Sequence, residues 1–315
     1  MKKAILVTNA FLHSNKFAEH YIWLEKAAMN HSITLELWEN TELMCGYGLD
    51  DEKALRDRLS GVSFVIYWDK DILLGQKLSD ICNELDIPVY NSIDSIYICD
   101  NKAETYHRLW QWNNTHRDEQ IPLIPTITAP MTYANIGYTS HDFVEDIVQK
   151  LGLPLIIKEC YGSFGAQVYK VDTYDEAVKL TKKLAGKSII YQKYIEKSSG
   201  RDIRLQVVGN QVVAAMYRYS ADGDFRANIT NGGSMKKYIP SEKECHIALL
   251  TAKALGLDFA GIDMLFSDCG PDEGGRADIV CEVNSNAHFK NIHTCTGVNV
   301  AEEIIKYIAR KMRSV

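Results

Sequence analysis

The sequence predicts an α/β chain whose C-terminal part turns α+β. Two observations carry this. The first hundred residues alternate short β-like runs with helix-like segments, whereas beyond residue 155 strands follow one another through tight turns. A third observation supports a large core: 315 residues with 46% hydrophobic side chains suffice for two or three domains.

The elements follow in order. "AILVT", "ITLELW", "SFVIYW" and "IPVYN" read as strands, separated by helical segments at 15–30, 51–59 and 71–85, the rhythm of a parallel sheet with covering helices. No G-x-G-x-x-G follows the first strand, so a dinucleotide fingerprint is absent. A helix at 101–114 leads into "IPLIPTITAP", whose prolines mark an extended connection. Its Leu109, Trp110 and Trp112 are expected to be buried at a domain contact. "LPLIIKECYGSFGAQVYKV" reads as strand, glycine-containing loop, strand; no Walker-type loop is present. A helix at 174–185 and the strand "SIIYQKYI" come next. "RDIRLQVV" and "QVVAAMYRY", joined by Gly209-Asn210, form a strong hairpin signal. A helix at 241–255 precedes "FAGIDMLFS" and "IVCEVNSNAHFK", two arms of a second hairpin. Expected boundaries divide the chain into residues 1–99, 100–187 and 188–315.

Composition excludes several functions. A net charge of −6 gives no phosphate-backbone footprint, so no nucleic acid partner is expected. Eight cysteines lack C-x-x-C spacing and read as reduced thiols of a cytoplasmic protein. Neither a signal peptide nor a membrane span is indicated.

The chemistry concentrates in the second hairpin. Pairing Asp263 with Glu282 also pairs Leu265 with Val280, and places Asp263, Glu282, Asn284 and Val280 on one face. Opposed acids on an apolar sheet need neutralising, and a divalent cation would do it; carboxylate and amide oxygens suit Mg2+ or Mn2+ better than zinc. Lys158 shares a strand face with Ile156 and is expected over a cleft. The "GSFG" loop, Gly162, Ser163, Phe164 and Gly165, would let backbone approach a bound anion. Arg204 follows Asp202 on one strand face; Arg218 falls on the opposite face unless a bulge intervenes. Cys160 reads as packing rather than as a nucleophile.

From about residue 90 to 312 the chain resembles the ATP-grasp ligases, most closely the RimK-like group of glutamate-ligating carboxylate–amine ligases. The resemblance is dense in "YQKYIEKSSGRDIRLQVVGNQVVAAMYRYSADGDFRANITNGG" and in "LDFAGIDMLF" with "VCEVNSNAHFKNIHTCTGVNVAEEI". It implies an ATP-grasp fold behind a Rossmann-like pre-ATP-grasp domain, with ATP and two Mg2+ or Mn2+ ions. The metal ligands would be Asp263, Glu282 and Asn284. Lys158 would contact the phosphates and Lys102 would reach back to the nucleotide, with Gly162 to Gly165 as a phosphate-covering loop. Gln192, Lys193, Tyr194 and Ile195 would form the adenine hinge, and Asp202 would contact ribose. Arg226, Ala227 and Asn228 would lie near the phosphates, and Arg204, Arg226 and Asn228 would serve catalysis.

The resemblance further implies a ligase joining an amino acid's amine, glutamate's among the options, to a peptide or small-molecule carboxylate through an acylphosphate. An ATP-grasp kinase and a nucleotide-sensing protein without turnover are the alternatives, and a homo-oligomer is left open. The chain departs from the family pattern in three places. Lys193 replaces a hinge glutamate, Asn101 an aspartate, and "SNAHFK" a Ser-Pro-Gly, so Lys290 or His288 is expected to read an anionic substrate.

Overall fold

The computed structural model describes residues 1–315 apart from 13, 14, 45, 48, 50, 51, 135, 138, 163, 164, 221, 222, 228–231, 314 and 315. The N-terminal part runs β1 (Lys2–Thr8), α1 (Asn15–Asn30), β2 (Ile33–Glu39), α2 (Glu52–Leu59), β3 (Val62–Tyr67), α3 (Ile72–Glu84), β4 (Val89–Tyr90), α4 (Ile93–Asp100) and α5 (Lys102–Thr115). The middle holds β5 (Thr126–Thr128), α6 (Phe143–Leu151), β6 (Leu155–Glu159), β7 (Val168–Val171), α7 (Tyr174–Lys183) and β8 (Ile189–Lys193). The remainder is β9 (Arg201–Val208), β10 (Gln211–Tyr219), β11 (Ser234–Lys237), α8 (Glu242–Ala254), β12 (Phe259–Phe266), β13 (Ala277–Asn284), α9 (Lys290–Thr296) and α10 (Val300–Lys311).

The strands form three sheets. A parallel sheet ordered β2-β1-β3-β4 matches the expectation for the first hundred residues. Its apolar runs bury both faces: Ala4 and Leu6 join one core and Ile5 and Val7 another, as the alternation of a strand requires. An antiparallel sheet ordered β5-β8-β6-β7 carries the glycine-containing loop between β6 and β7. Because β8 completes this sheet, its strands come from both sides of the expected division at 187/188. The third sheet, ordered β11-β10-β9-β12-β13, is antiparallel throughout. Gly209, at φ +56°, supplies the left-handed turn between β9 and β10.

One face of the third sheet (Ile203, Leu205, Ile262, Met264) packs on α8, a helix started by a Ser241–Glu244 capping box. The opposite face changes character along its length. At one end Val208, Met216 and Phe259 join the core that α1 and α10 share with the parallel sheet; at the other, Asp202, Arg204 and Asp263 stand over an open cleft. Buried Asn91, directly after β4, ties these parts together. Its amide donates to the carbonyls of Phe259 and Ser285, each at 2.9 Å, and its oxygen accepts from the Asp258 and Phe259 N–H groups. In α5 Leu109 is fully buried, but Trp110 is 56% exposed, so the expected burial of three side chains holds for Leu109 and in part for Trp112.

Two β-bulges reset the faces predicted by simple alternation. In the β9–β10 hairpin a shift between Val212 and Ala214 brings Arg218 opposite Asp202, onto the cleft face. In the β12–β13 hairpin Asp263 does pair with Glu282, but a shift at the next residue pairs Met264, not Leu265, with Val280. Val280 therefore turns into the core beside Val283, and Cys281, the extra residue, lines the cleft. The expected sharing of one face by Val280, Glu282 and Asn284 is corrected accordingly. Among the described residues the cysteines are free and no helix is long and apolar enough to cross a membrane.

Candidate active site

All three sheets contribute to one cleft of about 1060 Å³. It is lined by Lys158, Gly165, Gln192, Lys193, Tyr194, Ile195, Asp202, Arg204, Arg226, Ala227, Asp263, Glu282 and Asn284. These positions, drawn from segments up to 126 residues apart, were singled out in the sequence. Ser163, Phe164 and Asn228 lie outside the described residues. Lys102 and Gly162 are not lining residues and are joined to each other, the Lys102 Nζ donating to the Gly162 carbonyl at 3.0 Å.

The floor is a buried lattice of two acids and two arginines. Arg204 grips Asp263 as a fork, Nε to Oδ1 at 2.6 Å and Nη2 to Oδ2 at 2.7 Å. Arg218 forks Asp202 with the same two distances and also reaches Asp263 Oδ2 at 3.0 Å. The two guanidiniums hold the Asp263 carboxyl below its usual range against the cost of burial. For Asp202 burial prevails and its carboxyl is pushed up. Gly261 leaves room for this packing, because a Cβ there would lie 2.7 Å from Ala287 Cβ and 3.4 Å from Arg204 Cδ.

This lattice corrects one premise. Neutralisation of Asp263, expected from a divalent cation, is already supplied by Arg204 and Arg218. Glu282 differs: among the described residues it has no hydrogen bond or ion pair. Asn284 directs its Nδ2 toward Asp263 Oδ2 at 3.5 Å. A partner-free carboxylate beside an amide is a hard-oxygen donor pair that fits Mg2+ or Mn2+. Asp263 can join only through an oxygen it shares with an arginine.

Lys158, on the same β6 face as Ile156 as expected, is buried with its Nζ 3.7 Å from Cys281 Sγ. Burial raises the Cys281 thiol, while Lys158 pulls it down. Burial, together with Lys158, lowers the Lys102 ammonium, and Glu282 opposes that fall. Arg226 is fixed by Asp224 (2.8 Å) and donates to the Gly165 carbonyl at 2.9 Å, linking its own loop to the glycine-containing one. At the end of β8 the Lys193 N–H is engaged by the Pro125 carbonyl at 2.9 Å, and Tyr194, just beyond the strand, lines the cleft. Gln192 donates to Thr126 and keeps a buried Oε1 without a partner.

Beyond Asn284, His288 lines the cleft and meets His20 edge-on at 4.6 Å. Lys290 does not line the cleft; it pairs with Glu19 at 2.5 Å, so the "SNAHFK" loop brings only one of its two expected substrate readers to the site. Sequence reasoning missed the N-terminal wall, which includes Asn9, Tyr21 and Asp69; Asn286, within the "SNAHFK" loop, meets that wall through the Asp69 carbonyl. Asn9 and Asp69 follow β1 and β3, at the carboxyl edge of the parallel sheet, where open α/β sheets hold ligands; that rule was the available signal.

Three sheets around one cleft, with paired hairpins on its floor and a glycine-containing loop beside a buried lysine, define an ATP-grasp architecture. The structure of D-cycloserine synthetase DcsG has a TM-score of 0.69 to this chain, covering 98% of it and 99% of the synthetase at 16% identity. Residues 117–308 match the model of the RimK-like ATP-grasp domain, and the chain belongs to that family. A relative from Mycoplasma pneumoniae, an uncharacterised protein described as an MG012 homologue, is 33% identical over 78% of this chain and 80% of its own length. A probable alpha-L-glutamate ligase of Trichodesmium erythraeum is 39% identical over 51% of this chain, a match spanning 52% of the ligase's length.

Proposed function

We propose that the chain is an ATP-dependent carboxylate–amine ligase that forms an amide through an acylphosphate. The observation that carries this reading is the Glu282 carboxylate, without a hydrogen bond or ion pair among the described residues and set beside Asn284 in a cleft that also holds Lys158, Arg204, Arg218 and Arg226. Such a site offers cations to phosphate oxygens and hard oxygens to a divalent ion. In this reading Glu282 and Asn284, with Asp263, hold Mg2+ or Mn2+, and the metal supplies charge neutralisation at the phosphates. The structure of the relative PsnB, an ATP-grasp ligase, has been determined with Mg and ADP, which supports the same pairing here.

The protein groups then position and neutralise. Lys158 and Arg226 face the phosphates, Tyr194 and Gln192 the base, and Asp202 the ribose. A substrate carboxylate oxygen attacks the γ-phosphorus of ATP, the bond to the β–γ bridging oxygen breaks, and ADP leaves. An amine then attacks the acyl carbon, loses a proton and displaces phosphate. Phosphoryl transfer needs orientation and charge stabilisation more than covalent help, which suits a site rich in fixed guanidiniums. Glutamate as the added amino acid, a peptide or small molecule as the acceptor, and a cytoplasmic setting complete the proposal. The test is a screen of amino acid and carboxylate pairs for phosphate release, with mass spectrometry of the product. Release that needs both partners and yields an amide supports the ligase; phosphate retained on the product indicates a kinase.

A further inference from the structure

The cleft is electrically two-sided. On the walls built by the second and third sheets Lys158, Lys193, Arg201, Arg204, Arg218 and Arg226 outnumber Asp202, Asp263 and Glu282, while on the wall built by the parallel sheet and its helices Asp69, Asp71 and Asp100 outnumber Lys70. Two of these acids are accounted for. Asp71 caps α3, accepting from the Leu74 N–H at 3.3 Å, and Asp100 pairs with Lys70. Asp69 is not. Only 4% exposed, it receives the Asn9 Nδ2 at 3.0 Å and the Lys70 N–H at 2.7 Å, both on Oδ1. Its buried Oδ2 has no hydrogen-bond partner, and among the described residues no lysine or arginine pairs with it.

A buried carboxylate oxygen without a donor is costly, and native structures keep one where something else completes it. Two neighbours add to the case. Asn286 donates to the carbonyls of Tyr67 and Asp69, each at 3.3 Å, and keeps its own Oδ1 buried without a donor. The Tyr21 phenol, pushed up to about 12 by burial and by Asp69, stays a neutral hydroxyl. This corner therefore presents two acceptor oxygens lacking donors, on a wall whose net charge is negative. The species that satisfies it carries several N–H donors and a positive charge.

We infer that Asp69 binds an ammonium group of the substrate, with the Asn286 carbonyl oxygen as a second acceptor. The assignment rests on the ligase reading and deepens it: one reactant enters as a cation held on the N-terminal wall, with its carboxylate or acyl end toward Arg204 and Asn284. It also moves the expected recognition away from Lys290, which would have selected an anion.

The test is calorimetric binding to the full chain loaded with ADP and Mg2+. The probes are L-glutamate, L-alanine and putrescine, each compared with its fully N-acetylated form, which removes the cation. At least one free probe should bind ten times more tightly or better than its acetylated form. Asp69→Asn should erase that difference while leaving ADP affinity within twofold. Equal binding of free and acetylated forms, absence of binding by every free probe, or an undiminished preference in Asp69→Asn would overturn the assignment. If Asp69→Asn fails to fold, the wild-type comparison decides alone. The two readings fail separately: two-substrate phosphate release without an ammonium preference refutes only this assignment, and an Asp69-dependent preference without amide formation refutes only the ligase.

Discussion

Arg218 is the position at which the floor is most exposed to perturbation. It holds Asp202 through two hydrogen bonds and Asp263 through a third, and its side chain is 7% exposed against 16% and 5% for its partners. Arg218→Met keeps the volume but leaves Asp202 without its charged partner and Asp263 with Arg204 alone. Breaking a buried pair from one side costs about 3–5 kcal/mol, because the orphaned charge remains desolvated. An unfolding entropy of about 2.1 cal/mol/K per residue, applied to 315 residues, converts this into a melting-temperature fall of about 5–8 °C.

The loss depends on pH with a definite sign. Asp202 already has a raised carboxyl, and removing the guanidinium raises it further. The folded variant then binds a proton that the unfolded chain releases, so its stability falls as pH rises through the raised value. The difference from wild type should therefore be smaller at pH 4.5 than at pH 8. Adding Asp202→Asn to Arg218→Met should recover part of the loss. Circular-dichroism melts at both pH values are the assay. A variant within 1 kcal/mol of wild type at pH 8, a magnitude typical of an exposed ion pair, would refute the reasoning.

Further outcomes follow from single contacts. Glu282→Gln should reduce two-substrate phosphate release at least a hundredfold while shifting the melting temperature by less than 2 °C, since among the described residues that carboxylate has no hydrogen bond or ion pair to lose; retained turnover at saturating Mg2+ would rule out a metal role. Gly261→Val should weaken nucleotide binding, measured by calorimetry, because its side chain collides with Ala287 and the Arg204 stem. Lys290→Ala should leave the KM of every substrate within twofold and His288→Ala should change one, as only His288 lines the cleft. His20 is fully buried and held down to about 4 by burial and by Lys290, so it folds neutral. Stability is lost as pH falls from 6.5 toward 4, and His20→Phe should flatten that acid limb by on the order of 3 kcal/mol, read from urea midpoints across the range.

The sequence alone determined the parallel strands, the two hairpins and most of the residues that line the cleft. Apolar runs buried on both faces marked the parallel strands, Gly209-Asn210 marked a turn that few residue pairs can make, and the pairing of Asp263 with Glu282 followed from alternation over a short distance. These are local matters, set by backbone sterics and side-chain period. What the tertiary structure decided was non-local. A single extra residue at each of two bulges moved Arg218 and Cys281 onto the cleft and Val280 off it, because the side-chain period of two turns any one-residue shift into a change of face. Nor does spacing reveal that two arginines, rather than a cation, meet Asp263, or that Lys290 is taken by Glu19. The N-terminal wall was least legible: Asp69 and Asn286 are 217 residues apart, and only the docking of the parallel sheet's carboxyl edge against the loop after β13 brings the two residues into contact.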